Sequence, residues 1–187
     1  MNTNVKRKPS KALTFSFHGG SGTGKTYVSS IIAESIYKKG MRSKYVHFIS
    51  GTEFSHNQYV PVYKEELKKN SVIESSVAQC SRSLFSFVDE IDKIPPGLLD
   101  ILTPYIENHE QYDGIDYRNA IFIFLREQIK LKEMEQIIEK SASYAGKNEF
   151  YESLIIFKNL ITAYVPFLPF EKKHIRSCII DYLIKKE

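Results

Sequence analysis

The chain has 187 residues, of which 42% are hydrophobic and 13% aromatic, and its formal net charge is +4. This length fits one α/β domain, or one domain with part of a second, and this apolar content excludes a disordered chain. No apolar run approaches the roughly 20 residues that span a bilayer, and the mild charge gives no argument for nucleic-acid binding. Two cysteines are too few for a disulfide framework or a metal site.

Hydrophobic periodicity predicts strands that alternate with helices along the chain. We expect strands at residues 12–18, 44–50, 84–90 and 120–125 and a fifth that ends near Pro166. Helices are expected at residues 25–39, 63–69, from near 76, from 95, at 127–140 and at 171–185. This alternation predicts an α/β fold in which helices cover both faces of a parallel sheet.

A glycine-rich loop joins the first strand to the first helix and satisfies the pattern G-x-x-x-x-G-K-S/T. Its residues are Gly19, Gly20, Ser21, Gly22, Thr23, Gly24, Lys25 and Thr26. Glycines let consecutive backbone N–H groups turn towards an anion, and the helix that follows adds the positive end of its dipole. We expect Lys25 to bind the β- and γ-phosphates of a nucleotide and the Thr26 hydroxyl to bind Mg²⁺. A glycine turn that merely contains a lysine is the alternative, which the flanking strand and helix disfavour.

An acidic pair, Asp89 and Glu90, ends the third predicted strand. Asp89 would hold Mg²⁺ through its water shell, opposite Thr26, and Glu90 would polarise a water for attack on the γ-phosphate. Two neighbouring carboxylates can also simply begin a loop, but the phosphate-binding motif favours the catalytic interpretation. The chain has no N-K-x-D tetrapeptide for guanine, so ATP is the expected nucleotide.

Several longer strings resemble the torsins, a branch of the AAA+ ATPases close to the Clp group. These strings are LTFSFHGGSGTGKTYVSSIIAESIY, YVHF, CSRSLFSFVDEIDKIPPGLLD, DGIDYRNAIFIFL and VPFLPFEKKHIRSCI. They occur in the family's order and cover most of residues 11–180. The resemblance implies a P-loop NTPase fold of the AAA+ type, with a basic tail at 1–11, the nucleotide-binding domain at 12–169 and the first helix of an incomplete lid at 170–187.

The resemblance also implies a function and a cellular setting. Torsins are ATP-dependent chaperones or remodellers of the endoplasmic reticulum lumen and nuclear envelope. They self-assemble or associate with membrane-anchored activators that supply a catalytic arginine in trans. Residues 1–11 are polar and are followed by no apolar stretch, so no signal peptide is expected in this chain.

The chain departs from the family pattern at three catalytic positions. Torsins usually place a polar sensor-1 residue, most often Asn, just after the fourth strand, where this chain continues with Arg126. No sensor-1 role is therefore assigned. Residues 158–161 contain no arginine, although Clp relatives have an arginine finger at this place in the chain. This absence agrees with an activator that supplies the arginine finger in trans. Thr26 stands where many animal torsins carry Asn. Threonine is the ordinary Mg²⁺-binding residue at this position, so Thr26 favours ATP turnover.

The carboxyl-terminal segment stops after one lid helix, so a sensor-2 element is expected to be missing. Cys178 resembles a torsin cysteine involved in redox sensing, but its sensor-2 partner is not in this chain. We therefore expect Cys178, and also Cys80, to be small buried side chains. The apolar face of Ile175, Ile179 and Leu183 would be left partly uncovered, which predicts poor solubility or a partner. A fragment and a divergent paralogue are both compatible with these features.

Three functions remain open at this point. The first is an activator-dependent ATPase in which Lys25 and Glu90 are catalytic. The second is a catalytically weak module that binds ATP and signals the nucleotide state to a partner. The third is a small P-loop kinase, which the Asp89-Glu90 pair and the torsin-like strings disfavour.

Overall fold

The computed structural model describes residues 9–54, 59–69, 72–88, 94–95, 97–126, 155 and 159–184. The strands in this part are β1 (Leu13–His18), β2 (Val46–Ser50), β3 (Leu84–Val88), β4 (Ile121–Arg126) and β5 (Ala163–Pro166). The helices are α1 (Lys25–Ile36), α2 (Val60–Lys69), α3 (Val72–Gln79), α4 (Thr103–Ile106) and α5 (Lys172–Ile184). Short 3-10 turns lie at Gly40–Arg42, Gly51–Phe54 and Leu99–Leu102.

The five strands form one parallel sheet in the order β2-β3-β4-β1-β5. β1 lies between β4 and β5, so the residues that follow β1 are flanked by the carboxyl ends of two other strands. The parallel arrangement confirms the predicted α/β class. It also brings the ends of β3, β4, β1 and β5 to the same edge of the sheet, where ligands of such folds bind.

Both faces of the sheet are buried against helices or turns, as the apolar sequence of β4 predicts. Ile121, Ile123 and Leu125 belong to a cluster that packs with Ala33 of α1. Phe122 and Phe124 point to the opposite face, where the Phe122 ring stacks on Phe85 with centroids 5.3 Å apart. Alternate side chains of β4 therefore join the two halves of the core.

Two predicted helices end or begin differently in the structure. α1 ends at Ile36 because Tyr37 is extended, and Gly40, with φ of 51°, begins a 3-10 turn instead of capping a longer helix. The segment after Gly97 is split into a 3-10 turn and the single turn of α4. Pro104 has no N–H for the hydrogen bond that one continuous α-helix would need there. The helix predicted at 127–140 lies outside the described residues.

α5 has no buried residue, so its apolar side chains are exposed as the sequence predicted. Ile175, Ile179 and Leu183 are 50%, 54% and 59% exposed. The expectation that Cys178 is buried is wrong: it lies on this helix and is exposed. Cys80 is only partly buried, because it follows the last residue of α3 at the start of a bend. Within the described part of the chain, none of the helices combines the length and apolar character needed to cross a bilayer.

The stacked rings at the centre of the sheet predict a large cost for truncation. Phe122 is fully buried, so Phe122→Ala should lower the free energy of unfolding by about 3–5 kcal/mol in urea denaturation. Leu168→Ala removes a side chain that is 61% exposed and should change it by less than about 0.5 kcal/mol. Equal effects of the two substitutions would contradict the assigned core.

Candidate functional site

The glycine-rich loop follows β1 and leads directly into α1, so the structure brings the predicted phosphate-binding residues together. Gly22 and Gly24 have φ of 75° and 94°, in the left-handed region that glycine adopts without strain. The loop borders a cavity of about 310 Å³ lined by Ser21, Gly22, Gly24, Lys25, Thr26, Tyr27 and Leu125. This cavity lies at the amino-terminal end of α1, where the helix dipole favours an anion.

The Lys25 side chain is buried and turned into the loop. Its Nζ donates to the backbone oxygens of Gly19 and Gly20, both at 2.8 Å. The Thr23 hydroxyl donates to the same Gly20 oxygen at 2.8 Å, which fixes the loop's shape. Both of these acceptors are neutral carbonyls, and a phosphate oxygen would form a stronger, charge-assisted hydrogen bond with the ammonium group. Thr26, at the second position of α1, is exposed.

The start of the loop is pressed against the chain that leaves β5. A Cβ on Gly19 would lie 2.2 Å from the carbonyl oxygen of Phe167, closer than any real contact. The Phe167 N–H donates to the His18 oxygen at 2.6 Å, and the Phe167 ring packs on Phe17 with centroids 5.0 Å apart. Gly19 is therefore required both by the loop pattern and by this close approach.

His18 ends β1 and is buried immediately before the loop. Its Nε2 is 2.8 Å from the Ser16 hydroxyl, and its Nδ1 has no hydrogen-bond partner among the residues that the structure describes. Burial, with the positive charges of Arg126 and Lys25, lowers the pKa of His18 to about 3. The imidazole is thus neutral at physiological pH, and the positive charges of Arg126 and Lys25 lie close to it.

Arg126 is the functional candidate that the sequence analysis left without a role. It is the last residue of β4, pairs in register with His18 and is fully buried. Its backbone oxygen accepts a hydrogen bond from the Gly19 N–H at 3.2 Å. β4 thus runs one residue beyond the predicted strand, and the strand end next to the phosphate loop carries a guanidinium group.

Two other predicted site residues cannot be placed. β3 is described as far as Val88, and Asp89 and Glu90 lie outside the described residues. Their roles stay predictions. Sequence reasoning also missed Phe167 and Phe170 as neighbours of the loop; the available signal was the string VPFLPF directly after the fifth strand.

A parallel sheet with a G-x-x-x-x-G-K-T loop between its β1 strand and the following helix defines an α/β P-loop NTPase fold. Solved structures agree. Saccharomyces cerevisiae Hsp104 in complex with ADP matches with a TM-score of 0.64 at 18% identity, over 98% of this chain and 33% of that chain. A closed-state cryo-EM reconstruction of Hsp104 with ATPγS and FITC casein matches with a TM-score of 0.62 at 18% identity, over 95% and 32%.

The chain spans about a third of the length of these Hsp104 chains, and the likeness shows a shared fold. The α/β P-loop NTPase fold predicted from the sequence is thereby confirmed. The torsin family model matches residues 2–87, which hold β1, the phosphate loop and β3 without its last residue. This match covers just under half of the chain, so residues 2–87 are similar to the torsin family.

The contact between Gly19 and Phe167 predicts a difference between two adjacent glycines. Gly19→Ala must displace the Phe167 backbone and should lower the free energy of unfolding by about 1–3 kcal/mol. Gly20→Ala is the matched control, because a Cβ there meets nothing within 4 Å. Urea denaturation of both variants tests this, and a Gly19→Ala protein as stable as wild type would refute the close packing.

Burial of neutral His18 predicts a pH-dependent stability. Its pKa is about 3 in the folded chain and about 6.5 in an unfolded one, so only the unfolded chain gains this proton between those values. Stability should therefore fall as pH falls from 7 to 5, with a His18 contribution that approaches about 1.4 kcal/mol per pH unit.

Two variants isolate this contribution in urea denaturation at several pH values. His18→Gln should flatten the pH dependence. Ser16→Ala removes the hydroxyl next to Nε2 and keeps the buried imidazole, so it should lower stability but retain the slope. Identical slopes for His18→Gln and wild type would exclude His18 as the source.

Proposed function

We propose that this chain is an ATP-binding, Mg²⁺-dependent torsin-type AAA+ ATPase that acts as a chaperone or remodeller. The observation that carries the proposal is the phosphate loop, in which a buried lysine and an anion-favouring helix terminus meet at one cavity. The torsin match and the AAA+ fold support it.

The loop residues have distinct roles in this mechanism. Backbone amides of residues 19–26 bind the phosphates, and Lys25 exchanges its two carbonyl acceptors for phosphate oxygens. The positive charge of Lys25 then stabilises the negative charge that develops during phosphoryl transfer. Arg126, buried at the adjacent strand end, adds to the positive potential of the same edge.

The available oxygen ligands fit Mg²⁺, which prefers hydroxyl, carboxylate and water oxygens. Thr26 presents an exposed hydroxyl one residue after Lys25, and Asp89 would supply a carboxylate from the segment after β3. Bound Mg²⁺ would neutralise phosphate charge. Glu90 is the proposed base that orients and deprotonates the attacking water.

The proposed partners and location rest on the torsin resemblance. Residues 158–161 offer no arginine, so a membrane-anchored activator would supply the finger in trans, and the chain would self-assemble with it. An arginine finger is worth about 10³-fold or more in phosphoryl-transfer enzymes. We therefore propose slow turnover by the chain alone, and activity in the endoplasmic reticulum lumen or nuclear envelope.

A second candidate is a nucleotide-binding module with negligible turnover that signals its ATP state to a partner. The position of Arg126 favours it, because a bulky buried guanidinium ends the strand where torsins usually have Asn. Single-turnover hydrolysis with and without an activator's lumenal domain separates the two candidates. Transfer of phosphate to a small acceptor, in contrast, would indicate a kinase.

Two substitutions should separate binding from hydrolysis. Lys25→Ala removes the loop cation and should abolish measurable ATP binding in calorimetry at millimolar Mg²⁺. Glu90→Gln should leave ATP binding intact and reduce hydrolysis by about 100-fold or more, because only general-base function is lost. An unchanged hydrolysis rate in Glu90→Gln would refute the ATPase mechanism, and ATP binding that survives Lys25→Ala would refute the phosphate site.

A further inference from the structure

A second cavity opens at the edge of the sheet opposite the phosphate loop. It has a volume of about 560 Å³ and lies where the parallel strands begin. Its lining includes three cations, Lys11, Arg82 and Arg118, which precede β1, β3 and β4 respectively. Because β4 lies between β3 and β1, the three cations come before adjacent strands, whose starts are spaced by about 5 Å.

Backbone hydrogen bonds hold these strand starts in register. The Leu13 N–H donates to the Ala120 oxygen at 3.0 Å, and the Ile121 N–H donates to the Ser83 oxygen at 2.9 Å. Each cation therefore lies within three residues of a backbone group that the sheet fixes. The cavity is built on the sheet itself, so its cations are held close together by the fold.

The charges of the cavity are only partly balanced within the described part of the chain. Arg118 forms a bidentate ion pair with Asp116, with Nε–Oδ1 and Nη2–Oδ2 distances of 2.9 and 2.8 Å. The Lys11 ammonium group donates to the Leu160 backbone oxygen at 2.7 Å, which is a neutral acceptor. Among the described residues, neither Lys11 nor the exposed Arg82 forms an ion pair. Two of the three cations are therefore available to an anionic ligand.

Apolar side chains line the same cavity beside the cations. They belong to Leu13 at the start of β1, Ile36 at the end of α1 and Ile121 at the start of β4. Leu13 is 38% exposed, so a ligand can reach it. Binding sites commonly combine apolar walls with a few convergent polar groups. This cavity therefore suits a ligand that carries both hydrocarbon and negative charge.

We propose that the cavity binds an acidic segment of a partner protein. An apolar side chain of the segment packs against Leu13 and Ile36, and carboxylates on either side of it pair with Lys11 and Arg82. This inference goes beyond the nucleotide function and does not depend on it, because the cavity and the phosphate loop lie at opposite edges of the sheet.

The basic surface continues beyond the cavity, which favours a peptide over a small anion. A neighbouring cavity of about 650 Å³ is lined in part by Tyr37, whose hydroxyl donates to the Arg82 backbone oxygen. Its charged lining residues are Glu34, Lys38, Lys39 and Arg42. A single anion occupies only a small part of two adjoining cavities. An extended segment with several carboxylates can contact the cations of both.

Charge and shape disfavour other occupants. Residues 1–8 precede Pro9, which lines the cavity, but they contain Lys6, Arg7 and Lys8 and no acidic residue. Like charges would repel this segment from the site. A second copy of the chain has the same net charge of +4. A bilayer presents a flat surface, whereas Leu13 and the cations line a concavity.

Labelled peptides test the site by fluorescence anisotropy with the full chain. A peptide with a central leucine and glutamates on both sides should bind saturably. Its affinity should fall as NaCl rises from about 0.1 M to about 1 M, because the Debye length falls from about 10 Å to about 3 Å. Replacing the central leucine by serine should weaken binding, and replacing the glutamates by lysines should abolish it.

Variants of the chain locate the binding site. Arg82→Glu should weaken binding of the leucine-centred acidic peptide about 5- to 30-fold, because it removes an attraction and adds a repulsion, and Arg82→Lys should retain binding. Arg176→Glu is the matched control, since it makes the same change of charge at an exposed residue of α5 outside the cavity. Lys25→Ala should leave peptide affinity unchanged, which separates this site from the phosphate loop. Thermal unfolding verifies that each variant is folded.

The outcomes distinguish this site from the proposed nucleotide function. A wild-type chain that does not bind the acidic peptide overturns the inference, as do equal losses in Arg82→Glu and Arg176→Glu. Equal affinity for the leucine- and serine-centred peptides would indicate attraction by charge alone and also overturn it. Phosphatidylserine vesicles that bind where the peptide does not would assign the surface to a membrane instead. Loss of ATP binding with intact peptide binding would overturn the nucleotide function alone.

Discussion

The close approach of Gly19 to the Phe167 carbonyl is the constraint on which the site depends. No side chain fits between the end of β1 and the chain leaving β5, so the phosphate loop and the β5–α5 connection are held as one unit. The Phe167 N–H bond to the His18 oxygen reinforces this contact. The start of the loop and the approach to α5 therefore cannot move independently without breaking packed backbone contacts.

The strand order explains which charges the loop experiences. Because β1 lies between β4 and β5, its last residue has Arg126 on one side and Pro166 on the other. A buried cation beside the loop costs desolvation free energy unless an anion or hydrogen-bonding groups compensate it. The neutral state of His18 avoids a third positive charge at this edge, and bound phosphate would supply the opposite charge.

Much of the fold was predictable because the strands are buried on both faces. Continuous apolar runs in β3 and β4 and the glycine loop define their elements from local sequence alone. The break near Pro104 was not predicted, because the apolar residues there have helical spacing and favour one continuous helix. Pro104 lacks the backbone N–H that such a helix would need. Arg126 and Phe170 were missed as site neighbours for another reason: their positions follow from strand order, which pairs β1 with β4 and β5 across more than 100 residues of sequence.

Under the proposed function, nucleotide binding and hydrolysis would depend on different parts of this sheet edge. The phosphate cavity is lined by the loop after β1, by the start of α1 and by Leu125 near the end of β4. The proposed hydrolysis would rely on Asp89 and Glu90, which follow β3 in the sequence, and Arg126 ends the neighbouring strand β4. A chain can therefore keep the groups that bind the phosphates and change the groups needed for hydrolysis without losing its ligand. Under the proposed function, the buried guanidinium of Arg126 would act on the chemical step before it acts on affinity.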